Sequence, residues 1–300
     1  MRCTLDPAIR RTSPALSLAV ALAVAASACV GGVRPATGAL PAASASEAIP
    51  PVPGYLVIAG GGQLGPEIVG RFIELAGGPD AEIVVIPTAG EDSVFAPGWS
   101  GLELLTKSGA RNVTLLHTRD PHVAQSDSFS ARIRRAKGVW FPGGRQWRLV
   151  DAYLGTRTER ALHDLLQRGG AIGGTSAGAS IMASYLVRGA REGNTRMMAP
   201  GYERGFGFLR GVAIDQHVSA RKRERDLQEV ISRFPRLLGL GLDEGTAIVV
   251  HGTEAEVIGR GTLFVHNGRD PLAADAPYVR LQQGEVYDLA RRQRAASSQR

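Results

Sequence analysis

The sequence predicts an α/β protein built on a mostly parallel sheet with helices on both faces. Three observations carry this reading. Short apolar runs of four or five residues alternate with helix-period segments from residue 55 to residue 185, the pattern of strands buried on both faces. Glycine is abundant, at 38 of 300 residues, while Phe, Tyr and Trp number only 8, 6 and 3; small side chains suit helices packed closely on a sheet. The composition, 44% hydrophobic and 21% charged, is ordinary for a globular protein and excludes disorder over most of the chain. The length allows one large domain or two small ones, and neither an internal repeat nor a clear second domain is visible.

The elements follow in order. The run at 55–59 ends in glycines and reads as a buried strand. A helix is expected over 66–76, opened by Pro66, and a second strand over 82–86, closed by Pro87. Residues 102–108 read as the end of a helix, 112–116 as a third strand and 129–136 as a helix. The fourth strand, 138–141, stops at Pro142-Gly143-Gly144. Residues 157–168 form a strong amphipathic pattern with Leu162, Leu165 and Leu166 inward. A short strand at 171–174 leads into an expected helix over 177–185. Beyond a strand at 212–215 and a helix at 221–233 the pattern changes to short strands at 246–250, 256–258, 263–265, 278–281 and 286–289, with Gln283-Gly284 as the expected final hairpin turn.

The first 29 residues stand apart. Arg2, Arg10 and Arg11 precede an uncharged run from 15 to 28, and small residues lead to Cys29. A basic start, an apolar core of about fourteen residues and a small-residue exit read as a secretory signal, too short for a comfortable membrane span. The small residues before Cys29 resemble the lipobox of bacterial lipoproteins, which makes Cys29 a candidate lipid anchor; ordinary cleavage after Ala28 fits the same residues. The protein is therefore expected outside the cytoplasm: secreted, periplasmic or lipid-anchored. Residues 30–53 are rich in Ala, Pro, Gly and Ser and read as a tether, residues 54–290 as the folded domain and 291–300 as a basic, solvated tail.

Losing residues 1–29 removes three Arg and one Asp, leaving 32 basic and 27 acidic residues, about +5. No basic stripe with interleaved aromatics is present, so nucleic acid is not an expected partner. The two cysteines, Cys3 and Cys29, exclude a disulfide framework and leave the domain without a cysteine nucleophile or thiolate metal site.

Two glycine motifs compete for the chemistry. Gly60 to Gly65 matches G-x-G-x-x-G between a strand and a helix, but the second strand ends Val85-Ile86-Pro87-Thr88 without the acid that would bind a ribose. The turn serves equally as a tight strand-to-helix connection or as a pocket wall. Gly174-Thr175-Ser176-Ala177-Gly178 matches G-x-S-x-G. That pattern is cheap in a glycine-rich chain, but a short buried strand leads in and a small-residue helix leads out. Such an elbow lifts the Ser176 hydroxyl above the sheet. It also aims the Ala177 N–H at a developing oxyanion, with Gly143 or Gly144 as second donor.

A serine nucleophile needs a base. His163 lies on a helix face, and His251 and His266 lie near late strand ends. His117 and His122 flank a loop that could hold a metal, although exposed loop histidines are commoner than ligands. His217 differs: it ends the strand at 212–215 on the same expected sheet edge as Ser176. An acid must then orient the imidazole, and Asp243 and Glu244 stand together in a glycine turn.

Together these pieces resemble the cyanophycinase and dipeptidase E family of serine peptidases, with the cyanophycinase branch nearer. The likeness spans about 55 to 250. It rests on the opening GGG turn, the loop Pro142 to Gln146, GTSAGA at 174–179, DQH at 215–217 and GLDEGTA at 241–247. The resemblance implies a flavodoxin-like three-layer sandwich similar to class I glutamine amidotransferases, with extra C-terminal strands. It also implies a triad of Ser176, His217 and Glu244, with Asp243 the lesser alternative. This chain order differs from the α/β-hydrolases, where the acid precedes the histidine.

It implies no cofactor and a peptide substrate: cyanophycin, an aspartate backbone carrying arginine side chains, or short aspartyl and isoaspartyl peptides. Gln146, Asp215, Gln216, Arg221 and Arg223 become candidate substrate contacts, the arginines as carboxylate forks. Three positions depart from the family pattern: Arg145 where Asp or Asn is usual, Val218 where Phe is common, and Arg225-Asp226 where a third basic residue is usual. A non-catalytic lipoprotein binding Asp- or Arg-rich ligands and a nucleotide-dependent enzyme are the competing readings. A homodimer is the expected oligomer on general grounds alone.

Overall fold

A computed structural model describes residues 48–96, 98–268 and 277–295. The signal-type segment with Cys29, and most of the 30–53 tether, lie outside the described residues. Fourteen strands are described: β1 (Val52–Ala59), β2 (Ile83–Val85), β3 (Val113–Leu115), β4 (Gly138–Phe141), β5 (Ala171–Thr175), β6 (Ala183–Tyr185), β7 (Leu209–Gln216), β8 (Leu238–Leu242), β9 (Thr246–Gly252), β10 (Glu254–Gly259), β11 (Leu263–Asn267), β12 (Val279–Leu281), β13 (Val286–Asp288) and β14 (Gln293–Arg294). The helices are α1 (Pro66–Leu75), α2 (Ser100–Lys107), α3 (Pro121–Ala124), α4 (Asp127–Arg135), α5 (Gln146–Tyr153), α6 (Arg157–Gln167), α7 (Ala177–Ser180) and α8 (Leu227–Arg233).

The strands form two sheets. The larger runs β14-β13-β10-β9-β1-β5-β4-β2-β3, and the smaller β12-β11-β8-β7-β6. The half from β1 to β3 is parallel throughout, as the alternating strand and helix pattern requires. β9 closes onto β1 antiparallel, and β10 and β13 extend that edge. In the smaller sheet β6, β7 and β8 are parallel, while β11 and β12 return antiparallel. The α/β class and the extra C-terminal strands both hold.

Several boundaries differ from the sequence reading. The helix expected over 177–185 is only α7, and β6 follows it. Tyr185, 2% exposed, packs in the small-sheet core, so tertiary contact overrides helix periodicity there. The helix expected from 221 begins at Leu227, because Ser219–Arg221 is a 3-10 turn that Lys222 ends at φ 55°. The glycine turn around Asp243 and Glu244 is shorter than the expected 240–246: Leu240–Leu242 belong to β8, whose Leu-Gly alternation is period two, with Leu238, Leu240 and Leu242 all fully buried. Gln283-Gly284 turns the chain, but it is not a hairpin: β12 lies in the smaller sheet and β13 in the larger.

The domain limits widen at both ends. Ile49 and Val52 are each 3% exposed, so the fold starts before 54. Arg292 is 5% exposed and β14 pairs with β13, so the stretch from 291 to 295 is structured rather than a solvated tail.

Candidate active site

Ser176 sits between β5 and α7 at φ 56° and ψ −114°. A left-handed backbone at a residue with a Cβ costs about 1–3 kcal/mol and persists only where the surroundings impose it. Here the Ser176 N–H donates to the Ala59 carbonyl at 3.1 Å, and the Ser176 carbonyl accepts from Ala179 and Ser180 at 3.0 and 3.1 Å. The following turn needs glycine. A Cβ on Gly178 would lie 2.0 Å from the Phe141 carbonyl oxygen, which explains the small residues of the motif.

His217 follows β7 at φ 54°. Its Nε2 lies 2.9 Å from the Ser176 hydroxyl, and its Nδ1 2.5 Å from Glu244 Oε1. These distances set the tautomer: Nδ1–H donates to the carboxylate and Nε2 accepts from the hydroxyl. Ser176 belongs to the larger sheet and His217 to the smaller, so the two do not share one sheet edge as expected. The turn from β8 to β9, which carries Glu244, passes from one sheet to the other. The site is assembled where the sheets meet.

The Asp243 carboxylate is engaged away from the imidazole. Its two oxygens accept from the backbone N–H groups of Ser219 at 2.8 Å and Thr262 at 3.1 Å. It ties the β8–β9 turn down and leaves Glu244 to the imidazole.

The GGG turn is the wall of this site. The His217 N–H donates to the Gly60 carbonyl at 2.8 Å, and the Gly245 N–H to the Gly61 carbonyl at 3.0 Å. A Cβ on Gly61 would lie 2.3 Å from the imidazole, and one on Gly62 would lie 2.7 Å from the Glu244 side chain. The space beside the turn is filled by the His217 ring and the Glu244 side chain, which makes the turn a wall of this site.

Burial, the largest influence, lowers the pKa of His217. The hydrogen bond to Glu244 pulls it up, and the nearby Arg221 and Arg223 charges push it down. The net direction keeps the imidazole neutral at neutral pH, as a general base requires. Gly143 runs beside the nucleophile: a Cβ there would lie 3.3 Å from Ser176 Cβ. Gly144 turns the other way, against the Ala89 carbonyl. Gly143, rather than Gly144, is thus the loop glycine that lies against Ser176.

Two expected substrate contacts, Gln146 and Asp215, are spent elsewhere, and a third, Gln216, is buried. Gln146, 2% exposed, donates from Nε2 to the Val187 carbonyl at 3.0 Å. Asp215 is fully buried and forked by Arg188 at 2.8 Å. Gln216 is 2% exposed. Arg223 is buried and donates to the Gln216 carbonyl at 3.4 Å, while Arg221 is exposed on the 3-10 turn. Arg145 donates to the Ala190 carbonyl at 2.7 Å.

Three of the other five histidines bond elsewhere. His117 meets Thr88, His163 the Phe206 carbonyl and His251 the Gly54 carbonyl, each at 2.9 Å. Among the described residues no group of three His, Cys, Asp or Glu is arranged to hold a metal. Sequence reasoning missed Arg188. It stands in a stretch, Val187-Arg-Gly-Ala-Arg191, that reads as solvated loop, and nothing local announces a partner 27 residues on.

Comparison with known proteins gives the family and the fold. The pattern of Peptidase family S51 matches residues 56–258. The chain is 31% identical over 208 residues to a cyanophycinase of Geminocystis herdmanii, covering 68% of this chain and 76% of the relative. It is 32% identical over 230 residues to a cyanophycinase of Synechococcus elongatus, covering 75% and 71%. A peptidase from an acI-B1 actinobacterium superposes with a TM-score of 0.60 at 21% identity, over 79% of this chain and 97% of that one. A peptidase E-like protein of Listeria monocytogenes superposes with a TM-score of 0.52 at 14% identity, over 69% and 99%. The chain belongs to peptidase family S51 and is a serine-type peptidase.

Proposed function

We propose that the protein is an extracytoplasmic peptidase that cuts cyanophycin or related aspartyl peptides through a Ser176-His217-Glu244 triad. The observation that carries the triad is the linear set of contacts from Ser176 Oγ to His217 Nε2 at 2.9 Å and from Nδ1 to Glu244 at 2.5 Å. Ser176 Oγ attacks the carbonyl carbon, and its proton passes to Nε2. The oxyanion faces the N–H groups of Ala177 and Gly143. The imidazolium returns its proton to the leaving amine, which departs and leaves an ester on Ser176. Water then gives its proton to the same nitrogen and attacks the ester, freeing the acid. Glu244 holds the ring and stabilises its charged form. The signal-type segment at 1–29, with Cys29 as lipid anchor or cleavage flank, supports the location.

The cyanophycin reading rests on the relatives. A specific feature favours the shorter aspartyl and isoaspartyl peptides. The exposed Arg221 lies close enough to His217 to lower its pKa, and Arg145 adjoins Gly144 in the loop beside Ser176. Guanidinium groups attract free carboxylates bidentately and repel the arginine side chains of cyanophycin. The test is incubation of the chain from residue 30 onward with insoluble cyanophycin, beside Ser176→Ala. Clearing with release of β-aspartyl-arginine, lost in the variant, supports the first substrate. No clearing, with Ser176-dependent cleavage of β-aspartyl dipeptides, supports the second. A folded Ser176→Ala protein with full activity on either would sink the triad.

A further inference from the structure

Upstream of His217 lies a set of charges that the triad does not use. Arg188 is 1% exposed and Asp215 fully buried. Arg188 Nε donates to Asp215 Oδ1 and Nη2 to Oδ2, both at 2.8 Å. Its other N–H groups reach the Asn194 carbonyl at 2.9 Å and Asp226 Oδ2 at 2.6 Å. Arg223 Nη1 stands 3.9 Å from Asp215 Oδ1, so two cations face two carboxylates.

Asp215 Oδ1 also accepts the backbone N–H of Gln216 at 2.9 Å, and the Gln216 carbonyl accepts from Arg223 at 3.4 Å. The next residue is His217, in a left-handed conformation. A buried ion pair is weak evidence of stability, since apolar replacements of similar bulk are often neutral. A forked pair at the root of a strained turn serves geometry instead: it fixes where the strand ends and in which direction the turn leaves it.

We propose that Arg188 is a positioning residue for the general base. It forks the Asp215 carboxylate and, through the Gln216 amide that this carboxylate accepts, holds the turn that aims His217 at Ser176. Arg188 touches neither the imidazole nor the nucleophile. Lysine cannot substitute, because a point charge has no fork. The proposal rests on the triad reading above.

The test uses a fluorophosphonate probe, which reports triad geometry without any assumption about the substrate. Ser176 Oγ attacks phosphorus, fluoride leaves and the hydroxyl proton goes to His217. Wild-type protein is expected to label at Ser176. Arg188→Lys is expected to label about a hundredfold more slowly, the scale of a roughly 1 Å misplacement, and with any cleaved peptide to lose kcat while KM stays within about twofold. The pair Arg188→Met with Asp215→Leu is expected to fold and label as slowly.

A wild type that does not label at Ser176 would overturn the triad and this proposal with it. A labelled wild type beside an equally labelled folded variant would overturn this proposal alone. Should neither variant fold, hydrogen exchange on the wild type decides. The Gln216 and His217 amides are expected among the slowest to exchange, and exchange at loop rates overturns the proposal.

Discussion

The two strand ends that build the site solve one problem by different means. Ser176 and His217 both leave their strands at a positive φ, 56° and 54°. At the end of β5 the bend is imposed by close packing of small residues: Ala59 takes the Ser176 N–H, and Gly178 lies so near the Phe141 carbonyl that no side chain fits. At the end of β7 the bend is surrounded by buried charge, with Arg188, Asp215 and Arg223 within one network. The first solution is steric and local in sequence. The second is electrostatic, and its parts come from β7, the segment after β6 and the stretch that follows the 3-10 turn. A serine must be lifted clear of the sheet, which small neighbours accomplish. An imidazole must be aimed and kept neutral, which takes fixed dipoles and burial.

The largest break in this comparison is at the nucleophile. Ser176→Ala is expected to lower kcat by about 10⁶-fold, with the fold retained. Ser176→Gly should be equally inactive, yet more stable than Ser176→Ala by about 1 kcal/mol, because glycine adopts the left-handed bend without strain. Thermal melting of the two inactive variants checks this, and equal melting temperatures would show that the elbow stores no strain.

Gly61→Ala probes the contact between the two strand ends. A Cβ there would lie 2.3 Å from the His217 ring at a φ of 111°, so the imidazole must shift. An activity loss of about a hundredfold is expected from a displacement of about 1 Å, read as a fall in kcat on whichever peptide is cleaved. Wild-type kcat in a folded Gly61→Ala protein would mean that the GGG turn does not set the ring.

The same contrast explains what could be read from sequence. Strand and helix alternation gave the parallel sheet, and the glycine and alanine neighbours of Ser176 gave the elbow, because both signals are local. His217 and Glu244 were found from residue type and motif order, but their meeting place was not: they join across two sheets, and no periodicity reports which sheet a strand enters. Leu240 to Leu242 reads as part of the Asp243-Glu244 glycine turn because glycine is a strong breaker signal, although the leucines alternate with it. The resemblance implies that Asp215, Gln216 and Gln146 face substrate. The pleat of β7 instead turns Asp215 into the interior against Arg188, and Gln146, at the start of α5, is buried against the Val187 carbonyl. Arg188 itself has no local signature.

Acid should separate the two sheets. His266, on β11 of the smaller sheet, is 2% exposed, and burial pushes its pKa down to about 4, against a weaker pull from the Glu224 backbone and Asp215. His217 moves in the same direction. A histidine whose pKa is lower in the folded state takes up its proton on unfolding. Its stability is therefore full above about pH 6.5 and lost as pH falls toward 4. For His266 this amounts to about 3 kcal/mol. Amide protection factors, which correct for the slower intrinsic exchange in acid, should accordingly fall first in β7, β8 and β11 between pH 6 and 4, while those in β1, β4 and β5 hold. Replacing His266 by Leu should flatten the slope of stability against pH in that window. An unchanged slope would remove His266 as its source.

The smallest effect expected is a shift in the pH profile, and it reports most directly on how the base is kept neutral. Burial is the chief cause of the lowered His217 pKa, and the Arg221 charge adds to it. The acid limb of kcat/KM reports this group in the free enzyme and should lie below pH 6.5. Arg221 is exposed, so water and salt screen its influence. Arg221→Ala should therefore move the limb upward by less than about one pH unit, and by less still as ionic strength rises. Arg221 is also the carboxylate fork of the proposed substrate site, so KM for acidic peptides should rise in the same variant. The two readouts divide its roles. A limb that stays in place while KM rises assigns Arg221 to substrate alone and leaves burial as the cause of the neutral base. A limb that moves while KM is constant assigns it to the base, and the carboxylate fork must then be sought elsewhere on the rim.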